Sequence, residues 1–356
     1  MSKKLLLIGG GRAHLTLLKK LKNETSMDCE ITLLNPTSTT YHSDMFSGFV
    51  EGIYRLEDLE IDLADLTEKA GIRFVQGTAL SIDVKQKMVL TEKGDILSFD
   101  VLSLAIGTRL KGMEMLPERD NIFLGTNQIV RFQKSDYKKG IVVIVGGGRD
   151  SIEMSLAIQA WKQLYQDDGK VILALLPGEI EDVLTQDKMI SIMQNAGIQI
   201  QKQKVIEVDD SALITEHDTV SFGSLLWMTE SQAPKIYKSS KLPTDQEGYL
   251  VVEDTLQVKK FPFIFGAGNS VTIRNQPSLS QYGVIADRQG EVLFENLKGY
   301  LETGEGYHFH PTKPHLTMIS LGHQTALLKY GPFSTTGKLA WKLKDKMDRT
   351  YISSFR

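Results

Sequence analysis

Two segments of the chain repeat one another. Residues 5–18 read LLLIGGGRAHLTLL and residues 142–157 read VVIVGGGRDSIEMSLA. Each is a short apolar run, then Gly-Gly-Gly-Arg, then a helical pattern, and the two triplets begin 137 residues apart, at Gly9 and Gly146. Repetition at that distance predicts a duplicated domain rather than a solenoid. The first copy predicts a strand over residues 4–8, a helix over 13–23 and a strand over 30–34. The second predicts a strand over 141–145, a helix over 150–165, a strand over 170–175 and a further helix over 187–196. Both are βαβ units with their glycines at the strand-to-helix turn.

Such a turn binds phosphate for physical reasons. The first glycine permits the bend, and the second removes a side chain so that the backbone can approach a pyrophosphate. Unpaired N–H groups and the helix dipole then hold the negative charge. Gly9 and Gly11 fit these roles in the first copy, Gly146 and Gly148 in the second. The third fingerprint position departs from Gly or Ala in both copies, being His14 and Ser151. One imperfect fingerprint is weak, but two inside βαβ patterns predict dinucleotide binding. The acidic residue expected for the ribose is Asn35 in the first copy, which keeps hydrogen bonding without charge. In the second, Glu179 comes slightly late. NAD and NADP are both compatible with these residues.

Between the copies, short strands are expected at residues 74–76, 79–83, 88–90 and 101–105, and a similar set follows the second copy at 204–208, 212–215 and 225–228. A buried strand then ends in Gly266-Ala267-Gly268-Asn269, followed by a long helix over 280–301, two strands over 316–321 and 325–330, and a final helix from about Lys338. The fold class is therefore α/β, with two Rossmann-like dinucleotide-binding domains and a small C-terminal α+β segment.

Cys29 is the only cysteine, so internal disulfides, multi-cysteine metal sites and redox-active cysteine pairs are excluded. Redox chemistry must come from a bound cofactor. With a net charge of −3 over 356 residues there is no global attraction to nucleic acid. No apolar run approaches the ~18 residues of a membrane span, and the N-terminal apolar run is too short for a signal peptide, which predicts a cytoplasmic protein. His308, His310 and His315 read as an exposed connection rather than a metal cluster, and no metal site is expected. Asp44, Arg109 and Lys111 read as solvent-facing loop charges.

Charge is uneven: residues 311–356 carry a net +6 and the rest a net −9. Within that tail Leu339, Leu343, Met347 and Tyr351 recur every four residues, with Lys338, Lys342, Lys344, Lys346 and Arg349 mainly elsewhere. The preferred arrangement buries this stripe against the protein, with the lysines in water. The other leaves it exposed, for the inner face of a membrane or a second copy in a homodimer.

With these residues placed, the chain resembles the pyridine nucleotide-disulfide oxidoreductases. Within them it resembles type II NADH dehydrogenases and, more closely, the flavoprotein domain fused to selenophosphate synthetase. Four stretches carry the resemblance: Gly9 to His14, Ser43 to Tyr54, Asp100 to Gly107, and Tyr282 to Leu297. It implies a glutathione-reductase-like pair of domains. Residues 1–110 and 250–310 would form a discontinuous FAD domain, 111–249 an inserted NAD(P)H domain, and 311–356 a separate C-terminal piece. It implies FAD at Gly9, Gly11, Arg12, Ala13, Asn35, Ser43, Ala79, Ala105, Gly107, Gly268 and Asn269. Gln281, Tyr282 and Gly283 would present helix N–H groups to the flavin ring. NAD(P)H would meet Gly146, Gly148 and Glu153, the last matching a glutamate near the nicotinamide.

In this chemistry the cofactor is the electron sink and the protein positions donor and flavin, so no catalytic side chain is expected. The function implied is hydride transfer from NAD(P)H to flavin and on to a quinone or similar two-electron acceptor. The alternative is a nucleotide-binding sensor with a degenerate, low-turnover nicotinamide site. His14, Ser151, Asn35, Asn269 and Glu230, standing where the family usually has Gly or an acidic residue, favour it.

Overall fold

The computed structural model describes residues 2–23, 27–125, 128–133, 136–176, 186–202, 204–276, 283–304, 306–311 and 316–356. The chain begins with β1 (Lys3–Ile8), α1 (Arg12–Asn23) and β2 (Cys29–Asn35). A short helix, α2 (Phe46–Glu51), precedes β3 (Arg73–Gln76), and a three-stranded meander over residues 79–98 leads into β4 (Val101–Leu104). The second copy comprises β5 (Ile122–Leu124), β6 (Val142–Val145), α3 (Arg149–Tyr165), β7 (Val171–Leu175), α4 (Gln186–Asn195) and β8 (Gln199–Lys202). A second meander over residues 205–221 leads to β9 (Ser224–Trp227). The chain then supplies β10 (Gln257–Val258), β11 (Phe261–Gly266) and α5 (Gly283–Glu302). It closes with β12 (Leu316–Gly322), β13 (Thr325–Tyr330), β14 (Phe333–Gly337) and α6 (Lys338–Ser353).

The repeat read from the sequence is a repeat of topology. One sheet has the order β10-β11-β4-β1-β2-β3, parallel except at the β10 edge, and the other the order β5-β9-β6-β7-β8, parallel throughout. In each, a meander enters a strand beside the fingerprint strand: β4 beside β1, and β9 beside β6. Their central strands are continuous apolar runs, VVIV in β6 and VILAL in β7, because a parallel sheet is covered on both faces. On the first sheet α1 and α5 pack closely because Gly290 has no side chain. A Cβ there would lie 2.5 Å from the Ala13 carbonyl oxygen. On the second, the meander residues Val205, Val208, Leu213 and Val220 pack with Val143, Val145 and Trp227. Among the described residues no helix is long and apolar enough to cross a membrane.

The C-terminal piece is a three-stranded antiparallel sheet followed by α6. Its third strand, β14, was not expected, since FSTTG has no alternating apolar pattern and is held only by pairing with β13. The expected burial of the α6 stripe holds only at its last member, Tyr351, which packs on His42. Leu339, Leu343 and Met347 are 82%, 42% and 43% exposed, and the inner face is Ala340, Lys344, Asp348 and Ile352. The reason is the floor it meets. That floor carries His42 and the Asp44 carbonyl, which apolar side chains would leave without partners. Lys344 is accordingly buried rather than in water.

Candidate functional site

The β1–α1 turn is built by close approach. Gly9 has φ +93°, and a Cβ on either Gly9 or Gly11 would collide with the Ala105 carbonyl, at 2.6 Å for Gly11. Both glycines are therefore required by β4 as well as by any ligand. His14 explains the missing third glycine. Buried under the turn, its Nδ1 donates to the Gly9 carbonyl at 2.6 Å, and its Nε2 lies 2.8 Å from Ser103 Oγ in β4. A carbonyl only accepts, so Nδ1 carries the proton and the neutral ring accepts from the serine at Nε2. Burial outweighs the Gly9 bond and lowers the His14 pKa to about 4, which keeps it neutral. The imidazole therefore braces the turn from beneath and leaves its outer surface clear.

Asn35 at the end of β2 braces it from the side. Its Oδ1 accepts the Gly10 N–H at 2.7 Å, and its Nδ2 donates to the Thr37 carbonyl at 2.7 Å. The remaining first-unit residues gather at the same carboxyl edge. Ala105 and Gly107 follow β4, and Gly268 and Asn269 follow β11, the strand paired to it. Gly107 and Gly268 have positive φ, and a Cβ on either would meet nothing within 4 Å. The Gly268 N–H itself is taken by Gln289 Oε1 of α5 at 2.6 Å. Ser43 lies exposed after β2, and Ala79 opens the first meander, half-buried. Gly283 begins α5, whereas Gln281 and Tyr282, like Glu179 and His315, lie outside the described residues.

These observations fit an FAD dinucleotide. Gly10, Gly11 and Arg12 are accessible, and the first N–H groups of α1 have no intrahelical partners. The glycine backbones of Gly107 and Gly268 line the crevice at the strand ends, where α/β sheets bind ligands.

The second turn also fits. Gly146 needs its glycine because a Cβ would strike the Met228 carbonyl, while a Cβ on Gly148, which caps α3, would meet open space. Ser151 turns its hydroxyl inward, donating to the Gly148 carbonyl at 2.7 Å. Glu153 is less available than the resemblance implies. It is buried, accepts the Ser320 N–H of β12 at 2.6 Å, and lies 3.5 Å from Arg149. Burial raises its pKa, opposed by Arg149 and Lys344.

Sequence reasoning missed how these turns meet. The two fingerprint arginines converge on Asp44, Arg12 at 2.8 Å and Arg149 at 3.3 Å. Burial would raise the Asp44 pKa, but Arg149, Arg12, His42 and Lys344 hold it far below the carboxylate range. Asp44 is thus not a solvent-facing loop charge. Arg12 also makes a two-point pair with Asp287 of α5, at 3.2 and 2.7 Å, and stacks on Tyr351 of α6, 4.8 Å from the ring centroid. His42, buried, bonds Asp348 at 3.0 Å and stacks on Tyr351. Lys344 completes the floor with Asp348 at 2.7 Å and the Asp44 carbonyl. His42, Asp44 and Asp348 alone would resemble a metal triad, but Lys344 and Arg12 already neutralise it. The signal available was the arginine repeated after each triplet, and the i, i+4 spacing of Lys344 and Asp348.

The sequence profile of the pyridine nucleotide-disulphide oxidoreductases matches residues 3–286. The chain belongs to that family. It is 23% identical to a type II NADH:quinone oxidoreductase of Staphylococcus aureus, with 97% of this chain and 94% of that one covered. It is 21% identical to the NADH dehydrogenase-like protein YutJ of Bacillus subtilis, with 83% of each covered. In structure it is similar to NDH2 from Plasmodium falciparum in complex with NADH, with a TM-score of 0.82, 13% identity and coverage of 99% and 97%. It is also similar to the sulfide:quinone oxidoreductase of Aquifex aeolicus, with a TM-score of 0.80, 20% identity and coverage of 100% and 92%. Despite the family's name, the lone Cys29 sits half-buried in β2, and burial pushes its thiol up to about 11.

Proposed function

We propose that the protein is an FAD-dependent NAD(P)H dehydrogenase that passes electrons to a quinone or similar two-electron acceptor. The observation that carries this reading is the pair of glycine turns, braced on separate parallel sheets, whose arginines meet at one carboxylate. Family membership and the similarity to NADH:quinone oxidoreductases support it. Residues 1–110 and 250–310 hold FAD, and residues 111–249 hold NAD(P)H. The Ser43–Tyr54 stretch supports a closer relation to the flavoprotein domain fused to selenophosphate synthetase.

FAD, when bound, supplies the two-electron sink. The chain's own residues bind and orient. Gly11, Arg12 and Ala13 present the α1 N-terminus to pyrophosphate, with His14 and Asn35 fixing the turn. Gly107 and Gly268 leave room for the rest of the flavin nucleotide, with Asn269 next in the chain, and Gly283 begins α5. Gly148 gives NAD(P)H access to the α3 N-terminus.

The exposed face of α6 gives this reading a place to act. Leu339, Leu343 and Met347 are flanked by Lys338, Lys342 and Lys346, a pattern suited to the anionic surface where a quinone is met. The burial of Glu153 favours a second reading, a nucleotide-binding protein with low turnover. Anaerobic mixing with NADH and, separately, NADPH separates the two. The dehydrogenase bleaches its flavin within seconds, and the low-turnover protein retains the colour.

A further inference from the structure

Asp44 lies in a one-turn 3-10 helix, Ser43–Met45, on the connection leaving β2. Three elements from different parts of the chain end on it. Its Oδ2 accepts from Arg12 Nη1 at 2.8 Å, beside the first glycine turn. Its Oδ1 accepts from Arg149 Nη2 at 3.3 Å, the first residue of α3. Its backbone carbonyl accepts from Lys344 of α6.

The two arginines are held differently. Arg12 has a second carboxylate, Asp287 of α5, gripping it at two points. Arg149 has Asp44 and, at 3.5 Å, Glu153 of its own helix, and its Nε has no hydrogen bond among the described residues. The charged tie from the second glycine turn to the first sheet therefore runs through Asp44. A charge-assisted bond of this kind, part-buried, is short-ranged and directional.

We propose that Asp44 is a positioning residue for hydride transfer: by gripping Arg149 and Arg12 together it sets the second nucleotide-binding turn against the first. This rests on the dehydrogenase reading above. Hydride transfer needs donor and acceptor in near-attack geometry, and a displacement of about 1 Å costs on the order of a hundredfold in rate. An asparagine at position 44 keeps the shape but removes the charge the two guanidinium groups share, leaving Arg12 to Asp287 and Arg149 to Glu153.

The test compares wild type, Asp44→Asn and Asp44→Glu in two measurements. The first is anaerobic rapid mixing of the FAD-loaded protein with NADH, giving a limiting rate of flavin reduction and a half-saturating NADH concentration. The second is the distance distribution between spin labels on cysteines replacing Lys85 and Asn195, both exposed and one in each unit, in a Cys29→Ser background. The expected result for Asp44→Asn is a limiting rate lower by at least about tenfold with half-saturation nearly unchanged. Its distance distribution broadens, and Asp44→Glu moves both readouts back toward wild type. A wild-type rate with a wild-type distribution overturns the proposal, and so does a slow variant whose distribution stays narrow. If Asp44→Asn does not fold, Arg149→Met cuts the same tie while leaving Asp44 paired with Arg12, and the same two outcomes decide. If the wild type is itself reduced by neither NADH nor NADPH, the dehydrogenase reading fails, and the distance arm alone judges the tie.

Discussion

Gly11 and Gly148 occupy matching positions in two turns, yet a side chain would meet different surroundings at each. At Gly11 a Cβ lies 2.6 Å from the Ala105 carbonyl, while at Gly148 it meets open space. Gly11→Val should therefore lose flavin and also stability, by about 1–3 kcal/mol from forced backbone shifts. Gly148→Val should keep its fold and its flavin but lose reduction by NADH. Flavin content, melting temperature and anaerobic bleaching of the two variants check this, and a fully yellow Gly11→Val contradicts the assignment. Two buried groups give opposite pH dependence. His14 falls from an ordinary 6.5 to about 4 through burial, so the unfolded chain binds the extra proton and stability drops as pH falls through that window. Glu51 rises from 4.5 to about 7 through burial, against the N–H groups of His323 and Gln324, so its contribution is lost as pH rises through that window. Urea unfolding between pH 4 and 7 should show His14→Gln flattening the acid-side loss and Glu51→Gln flattening the loss toward neutrality. The glycines were legible in the sequence because turn chemistry is local. The work of His14 was not, since its partners Gly9 and Ser103 come together only when β1 and β4 pair.

At the scale of elements, the strands and helices of both βαβ units lie within a residue or two of the sequence expectation, because buried parallel strands and the helices after glycine turns announce themselves by pattern. The final helix exposed the limit of pattern. Position 340/344/348/352 recurs as regularly as 339/343/347/351, and hydrophobicity alone selects the wrong one. The deciding fact is the polar floor of His42 and Asp44, brought there by a connection 300 residues upstream of Lys344. Ile352→Ala should cost about 2–5 kcal/mol by leaving a cavity. Replacing Leu339, Leu343 and Met347 together by serine should leave the melting temperature within a degree or two of wild type, while lowering binding to anionic vesicles. Unchanged vesicle binding in that triple variant would contradict the membrane contact proposed for α6.

Across the whole molecule, two sheets of related topology present their carboxyl-edge turns to a shared ion cluster, and α6 closes that cluster from outside. Duplication was legible at this scale because the repeated Gly-Gly-Gly-Arg preserves a demand common to both halves. The way the halves meet was not, because no local pattern relates residue 44 to residues 12, 149 and 344. In the proposed function this arrangement carries a hydride from NAD(P)H to bound FAD. Anaerobic titration of the purified, FAD-loaded protein with NADH, and separately with NADPH, tests it most directly. The oxidised flavin spectrum should be lost at one equivalent of at least one of the two donors and return on adding a soluble quinone. A protein that retains no FAD, or whose flavin stays oxidised with both donors, would contradict that function.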